Sequence, residues 1–472
     1  MAWPEEVRQV NPTLDESRLR SALAGECWPA LPAGLGALAL ALAYQLEQSQ
    51  WWPRERLERA QFRQLAAVLE HAARTVPWYR HRFAAAGVEP GGDWDDVRWR
   101  SLPLLTRTDL QDAHAELRSR AVPAGHGRTL RTQTSGSTGE PVQVCVTDIG
   151  QLYWRALTLR DHQWHRRDLG AKLCAIRVTD PGVADGPDGL QRAGWGAATD
   201  AVYRTGPMAL LDLSTDIAVQ ARWLEREDPV YLLSYPSNLD ALADVFAGGG
   251  RPLPNLRGIR TVGEQLNGDV RARVESAFGA PIVDSYSTQE VGYVALQCPS
   301  GSGLYHVQSE ALRVEVLRED GEPCMPGEIG RVVVSTLHNF AMPLIRYDLR
   351  DYAEVGAPCS CGRGLPSIAR ILGRRRNMLV LPDGSRRWPL VGFARYRHVA
   401  PVRQYQIVQR SLSTVLARLV VERPLDADEC ARLAEVIRDA LRHPFRIEFE
   451  FVDALARGPG GKFEDFVSEV ER

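Results

Sequence analysis

Between residues 230 and 286 the chain alternates short apolar runs with stretches of helical spacing. Runs 230–235, 258–262 and 281–286 read as strands, and 238–247 and 270–278 as helices. Short strands alternating with helices of about ten residues leave few solutions other than a parallel sheet covered on both faces. Ligands collect at the carboxyl ends of the strands in such sheets, and Asp284-Ser285-Tyr286-Ser287-Thr288-Gln289-Glu290 follows one of those strands directly. The pattern then changes: 312–317 and 330–337 alternate around a Glu319-Asp320-Gly321 turn, which predicts antiparallel pairing. Beyond Gly373 the order is strand, strand, helix, strand (405–408, 415–421, 427–441, 447–451). The first hundred residues read as helices, with apolar spacing over 54–73 and a break at Pro77-Trp78-Tyr79. The expected fold class is α/β. A large N-terminal domain, 1–373, has doubly covered, mainly parallel sheets plus an antiparallel β part. A small α+β C-terminal domain occupies 374–472.

A length of 472 residues exceeds one typical core and suits this division. A formal net charge of −2 gives no electrostatic case for nucleic acid or an anionic membrane as partner. Met1-Ala2-Trp3-Pro4 opens no signal peptide, and the apolar stretch 31–44 is too short to span a bilayer, so it is expected as a buried helix in a cytoplasmic protein. The eight cysteines are then reduced, as core residues or metal ligands.

The run Thr134-Ser135-Gly136-Ser137-Thr138-Gly139-Glu140-Pro141 cannot contribute to a core. Its hydroxyls and closely approachable backbone suit polyphosphate oxygens, although the spacing is not that of a Walker loop. A plain surface turn is the competing reading. The run resembles the phosphate-binding signature of the adenylate-forming ligases, in the branch of phenylacetate–CoA ligase, with Glu140 where that family usually has Lys. The resemblance extends from about Leu102, through the lead-in Leu102-Pro103-Leu104-Leu105-Thr106-Arg107, to the C-terminus. It implies activation of a carboxylic acid by ATP as an acyl-adenylate, then transfer of the acyl group to an acceptor.

Further motifs follow in the family's order. Tyr286 to Glu290 resembles Tyr-Gly-x-Thr-Glu, with Ser287 and Gln289 at the variant positions. The resemblance puts Tyr286 on adenine and Glu290 on Mg²⁺, a cation that prefers hard oxygen ligands. Asp284, Ser285 and Ser287 flank it, and Gly263-Glu264 occupies the other adenine-side loop. Arg346-Tyr347-Asp348-Leu349-Arg350-Asp351 resembles the motif whose last Asp binds both ribose hydroxyls, here Asp351, with Arg350 where Gly is usual. Gly373-Arg374-Arg375-Arg376-Asn377 resembles the family hinge: Arg374 matches an arginine near the ribose, and Arg376 and Asn377 replace two aspartates. The chain holds two lysines against fifty-five arginines, so a retained lysine suggests a task for a compact point charge. Lys462, in Gly458-Pro459-Gly460-Gly461-Lys462-Phe463, matches the family's catalytic lysine, whereas Lys172 precedes an apolar strand and reads as structural.

Cys298, His306, Cys359 and Cys361 form a donor set suited to tetrahedral Zn²⁺, with unligated core cysteines as the rival reading. Relatives near phenylacetate–CoA ligase with a similar pattern bind structural zinc. Tyr153, Trp154, Tyr235 and Pro236 border the acyl site by resemblance, and aromatic walls suit a flat aryl acid. The leading expectation is an AMP-forming ligase for an aryl acid, using ATP and Mg²⁺, with CoA or a small-molecule amine or hydroxyl as acceptor. The alternative is an adenylyltransferase joining AMP to a phenolic hydroxyl of a deazaflavin-like cofactor. A nucleotide-binding regulator is the non-enzymatic reading. A homodimer is the default assembly.

Overall fold

The computed structural model describes residues 18–133, 141–374, 377–387, 389, 396, 398–457 and 463–470. The alternating region forms a six-stranded sheet in the order Leu190–Arg192, Met208–Asp212, Leu173–Arg177, Tyr231–Ser234, Gly258–Thr261, Ile282–Val283. All neighbours run parallel except the edge strand Leu190–Arg192. Period-2 alternation covers both faces. Cys174 and Ile176 enter one apolar cluster with Trp223, Leu239 and Val274 from the connecting helices. Leu173 and Ala175 point the other way, into a cluster with Leu152 and Leu159. The helix Asp148–Trp164 is also tied to the sheet by charge, because Asp161 Oδ2 lies 2.6 Å from Arg167 Nη1 and 2.9 Å from Arg260 Nη2.

The antiparallel part is a seven-stranded sheet in the order Leu312–Leu317, Ile329–Thr336, Tyr347–Val355, Ser367–Arg374, Tyr305–Val307, Gly292–Gln297, Ser285–Thr288. The expected architecture holds, with one parallel sheet and a larger antiparallel partner. The chain passes from one sheet to the other at Asp284, between Ile282–Val283 and Ser285–Thr288. Residues from Leu379 onward contribute to a separate core, in which the helix Ala427–Leu441 packs on a four-stranded sheet through Leu433, Ile437 and Ile407.

Two local expectations are refined. Pro77 does not merely interrupt a helix: it opens the next one, Pro77–Ala85, from its first turn, where its missing N–H costs nothing. The stretch expected as a buried helix becomes the helix Gly34–Ser49 with only one face covered. Gly36, Ala39, Ala43 and Leu46 are buried, whereas Leu35, Leu38 and Tyr44 are exposed. A sequence apolar all round carries no periodicity to reveal which face meets the protein. No helix among the described residues is long and apolar enough to cross a membrane.

Candidate active site

Where the two sheets meet, and facing the C-terminal unit, lies a cavity of ≈ 1320 Å³. Its walls include Gly263, Glu264, residues 284–290, Asp351 and Arg374 on one side and Tyr405, Arg457 and Phe463 on the other. The turn that crosses between the sheets is braced from below. Asp284 is buried; its Oδ1 accepts from the Thr261 hydroxyl at 2.6 Å and its Oδ2 from the Tyr305 hydroxyl at 2.9 Å. Its backbone N–H donates to Gln297 Oε1 at 2.7 Å. The Asp284 carboxylate is therefore occupied by protein donors and serves as a brace.

This brace sets Tyr286 at the start of the edge strand, where its hydroxyl donates to Asp351 Oδ2 at 2.7 Å. Burial, reinforced by the Asp351 charge, holds that hydroxyl well above the ordinary tyrosine range, so it stays a donor. Asp351 pairs in register with Arg374 across adjacent strands, and Asp351 Oδ1 lies 3.7 Å from Arg374 Nε. Tyr286, Asp351 and Arg374, distant in sequence, thus converge. Arg350 adopts φ +61, the left-handed conformation that favours glycine, which gives a physical reason for the glycine usual there.

Glu290 and Arg107 form a second pair at the cavity, both side chains nearly buried, with Arg107 Nη1 3.7 Å from Glu290 Oε1. Arg107 opens the helix Arg107–Asp112, fixed by a capping box between Thr106 and Asp109. Sequence reasoning treated this residue only as lead-in; its place at the end of a motif already noted was the available signal. Ser285 is buried, Ser287 lines the cavity, and Gly263 turns with φ +80. Glu264 lines the same wall, but its carboxylate accepts from Ser237, Arg457 and Phe463.

Of the acyl-side residues, Pro236 lines the cavity, whereas Tyr153, Trp154 and Tyr235 do not. The Tyr153 ring stacks on His338 with centroids 3.9 Å apart, and Trp154 is exposed. Residues 134–140 and Lys462 lie outside the described residues; the former connect the paired strands Thr129–Gln133 and Gln143–Thr147.

Cys298, His306, Cys359 and Cys361 come together with their donor atoms all within 4.8 Å of one another. The Cys298 and Cys359 sulfurs are 3.6 Å apart, near the edge of about 3.8 Å that Zn–S bonds of about 2.3 Å give in a tetrahedron. Burial lowers the His306 pKa to about 4, which keeps the imidazole neutral. Its Nδ1 faces the Leu365 carbonyl at 3.4 Å, leaving Nε2 towards Cys361 Sγ at 3.3 Å. Burial pushes the Cys359 thiol up, yet the Cys361 N–H and the Ser302 hydroxyl outweigh it and bring the pKa down to about 7. Neutral imidazole beside readily ionised thiol is a donor set that fits zinc.

The chain thus has a parallel sheet feeding an antiparallel one through a braced turn, with Tyr286, Asp351 and Arg374 at the junction and a small α+β unit across the cavity. The same fold is seen in a crystal structure of 2-hydroxyisobutyryl-CoA ligase in the postadenylation state in complex with 2-HIB-AMP (TM-score 0.70, 19% identity, covering 88% of this chain and 90% of that one). No family model matches the chain. It is 27% identical over 344 residues to the phenylacetate–coenzyme A ligase of Thermus thermophilus, covering 70% of this chain and 73% of that protein. It is 28% identical over 369 residues to the Escherichia coli phenylacetate–coenzyme A ligase, covering 75% and 80%. These likenesses, to phenylacetate–coenzyme A ligases in sequence and to a 2-hydroxyisobutyryl-CoA ligase in fold, support an AMP-forming acid ligase.

Proposed function

We propose that this protein joins an aryl carboxylic acid to coenzyme A in two half-reactions. A carboxylate oxygen attacks the α-phosphorus of ATP; the P–O bond to the departing pyrophosphate breaks, leaving an acyl-adenylate. The CoA sulfur then attacks the acyl carbonyl, its proton leaves to solvent, and AMP departs. The observation that carries the reading is the convergence of Tyr286, Asp351 and Arg374 in one cavity of ≈ 1320 Å³, large enough for a nucleotide and an acid together. CoA is favoured as acceptor by the names of the sequence relatives, and an aryl acid by the phenylacetate in those names.

Each residue has a physical task under this reading. The Asp351 carboxylate accepts from ribose hydroxyls, a charge-assisted contact, and the face of Tyr286 packs on adenine while its hydroxyl keeps Asp351 oriented. Glu290 is the carboxylate that would hold Mg²⁺, which when bound supplies charge for the phosphates; Arg107 balances Glu290 from the protein side. Hydroxyls and N–H groups of residues 134–139 take phosphate oxygens, and Lys462 stabilises charge developing between the carboxylate and the α-phosphate. Cys298, His306, Cys359 and Cys361 hold a structural Zn²⁺, since four protein donors leave no position for substrate. The boundary between the two domains falls at residues 373 and 374, the last of the strand Ser367–Arg374.

Acid-dependent exchange of pyrophosphate into ATP tests the assignment, using benzoic, hydroxybenzoic, aminobenzoic and arylacetic acids. Exchange with one subgroup is expected. No exchange with any of them, in protein that binds ATP, refutes carboxylate adenylation of this substrate class.

A further inference from the structure

Glu290 differs from the other acids of the cavity. The carboxylates of Asp284, Asp351 and Glu264 all accept hydrogen bonds from the protein. Glu290 lines the same cavity and is only 8% exposed, yet among the described residues no N–H or O–H group donates to either of its oxygens. Its ion pair there is with Arg107, whose Nη1 stands 3.7 Å from Oε1, beyond hydrogen-bond reach. Burial, with the Glu290 charge behind it, holds the neighbouring Tyr347 hydroxyl above the ordinary tyrosine range, so Tyr347 adds no charge to the pair. A nearly buried carboxylate that faces one cation across a gap keeps its lone pairs for a further positive ligand, and a hard divalent cation fits them.

The backbone that carries Arg107 is fixed at this distance. Leu105 N–H donates to the Arg346 carbonyl at 2.9 Å, and Asp348 N–H donates to the Leu105 carbonyl at 2.9 Å. The lead-in therefore runs as a short parallel partner of the strand Tyr347–Val355, which also carries Asp351. The capping box between Thr106 and Asp109 fixes the turn that follows. A positive charge held so close to Glu290 repels any second cation that approaches the carboxylate alone. The same charge attracts a polyanion to that wall of the cavity. On the reading of this cavity as a nucleotide site with Glu290 as its metal carboxylate, we infer that Arg107 is a positioning residue that reserves Glu290 for a divalent cation arriving with a triphosphate. It disfavours the bare cation and favours the cation–nucleotide complex, whose net charge is negative, so metal entry becomes conditional on nucleotide. Arg107 acts through Glu290 and touches no reacting atom.

Two titrations of the full-length protein, wild type and Arg107→Gln, test the inference without knowledge of the acid. Free Mn²⁺ alone is titrated by electron paramagnetic resonance, and the preformed Mn²⁺·ATP complex, with no acid present, by calorimetry. Arg107→Gln is expected to bind bare Mn²⁺ at least about tenfold more tightly than the wild type, and the complex at least about threefold more weakly. A residue that only supported the fold would weaken both, so the opposite signs are the signature. Affinities that move in the same direction, or either one unchanged, overturn the inference. A tightened Mn²⁺ site that survives in Arg107→Gln/Glu290→Gln also overturns it, because the ion is then held elsewhere. If the circular dichroism spectrum of Arg107→Gln departs from the wild type, Arg107→Met, which keeps an unbranched side chain without the charge, takes its place in both titrations. Failure of every panel acid to support pyrophosphate exchange would refute the acyl reading and leave the contrast between the two titrations standing, so the two failures are distinguishable.

Discussion

Removing zinc is expected to loosen the floor of the nucleotide cavity, and the structure allows the effect to be sized. Cys298 directly follows the strand Gly292–Gln297, and Tyr305 directly precedes His306 of the Cys/His cluster; Gln297 and Tyr305 are two of the three groups that brace Asp284. Cys298 and Cys359 are 61 residues apart, so a metal joining them closes a long loop. By the loop-closure relation used for cross-links, a clip over about 60 residues contributes about 4 kcal/mol. Unfolding entropy near 2 cal/mol/K per residue gives about 0.7 kcal/mol/K for the roughly 350-residue large part, so the loss corresponds to a fall in Tm of about 6 °C. The perturbations are chelation at neutral pH and Cys361→Ser, with Cys430→Ser as a cysteine control away from the cluster. Calorimetry reads Tm, elemental analysis reads zinc, and a rise in the KM for ATP should accompany the loss because the braced turn carries Tyr286 and Glu290. Purified protein without zinc, or chelated and Cys361→Ser proteins melting within about 1 °C of the wild type, would refute the reasoning.

Three other outcomes are expected. Lys462→Ala should lower acid-dependent pyrophosphate exchange by about 10²–10³ with an unchanged circular dichroism spectrum, and wild-type exchange in that variant would remove the lysine from the mechanism. Burial pushes the Asp161 carboxyl up, but Arg167 and Arg260 outweigh it and hold its pKa below the usual range; its contribution is present above about pH 4 and lost as pH falls towards the depressed value. Urea midpoints between pH 5 and 3 should therefore fall less steeply in Asp161→Asn than in the wild type, and parallel slopes would contradict the sign. Asn377→Asp should destabilise the C-terminal unit by about 1–3 kcal/mol in urea unfolding, because a carboxylate then faces the Phe466 carbonyl; an unchanged transition would rule this out.

Much of the framework was legible because it rests on periodicity. The run 231–234 is mostly apolar and buried, 258–261 has Ile259 and Thr261 buried, and the helix between them carries regular spacing. Asp284 to Glu290 was found because such a sheet concentrates ligand groups at its strand ends. What could not be read was partnership across distance. Arg457 carries no signal in a chain with fifty-five arginines and Arg107 only its place at the end of the lead-in; their partnerships with Glu264 and Glu290 appear in the structure alone. Tyr153 and Trp154 show the opposite difficulty. An aromatic pair reads equally as pocket or packing, and Tyr153 is engaged with His338.

The asparagine at position 377 has a physical explanation that the sequence alone did not supply. Where the resembling family has Asp, Asn377 accepts from the Arg374 N–H through Oδ1 at 3.0 Å and donates through Nδ2 to the Phe466 carbonyl at 2.6 Å. Aspartate could make the first contact and would oppose the second, since both of its oxygens are acceptors when ionised. The amide therefore ties the start of the C-terminal unit to the strand Phe466–Ser468. Glu264 provides a second tie, to Arg457 and Phe463. Separating Arg457 and Phe463 from the cavity wall must break both of their contacts with Glu264. The Asn377 contact spans the two parts, because Arg374 pairs with Asp351 in the large sheet and Phe466 belongs to the C-terminal one. The two contacts thus differ in reach: Asn377 joins the end of the strand Ser367–Arg374 to the strand Phe466–Ser468, and Glu264 joins Arg457 and Phe463 to the helix that begins at Pro236.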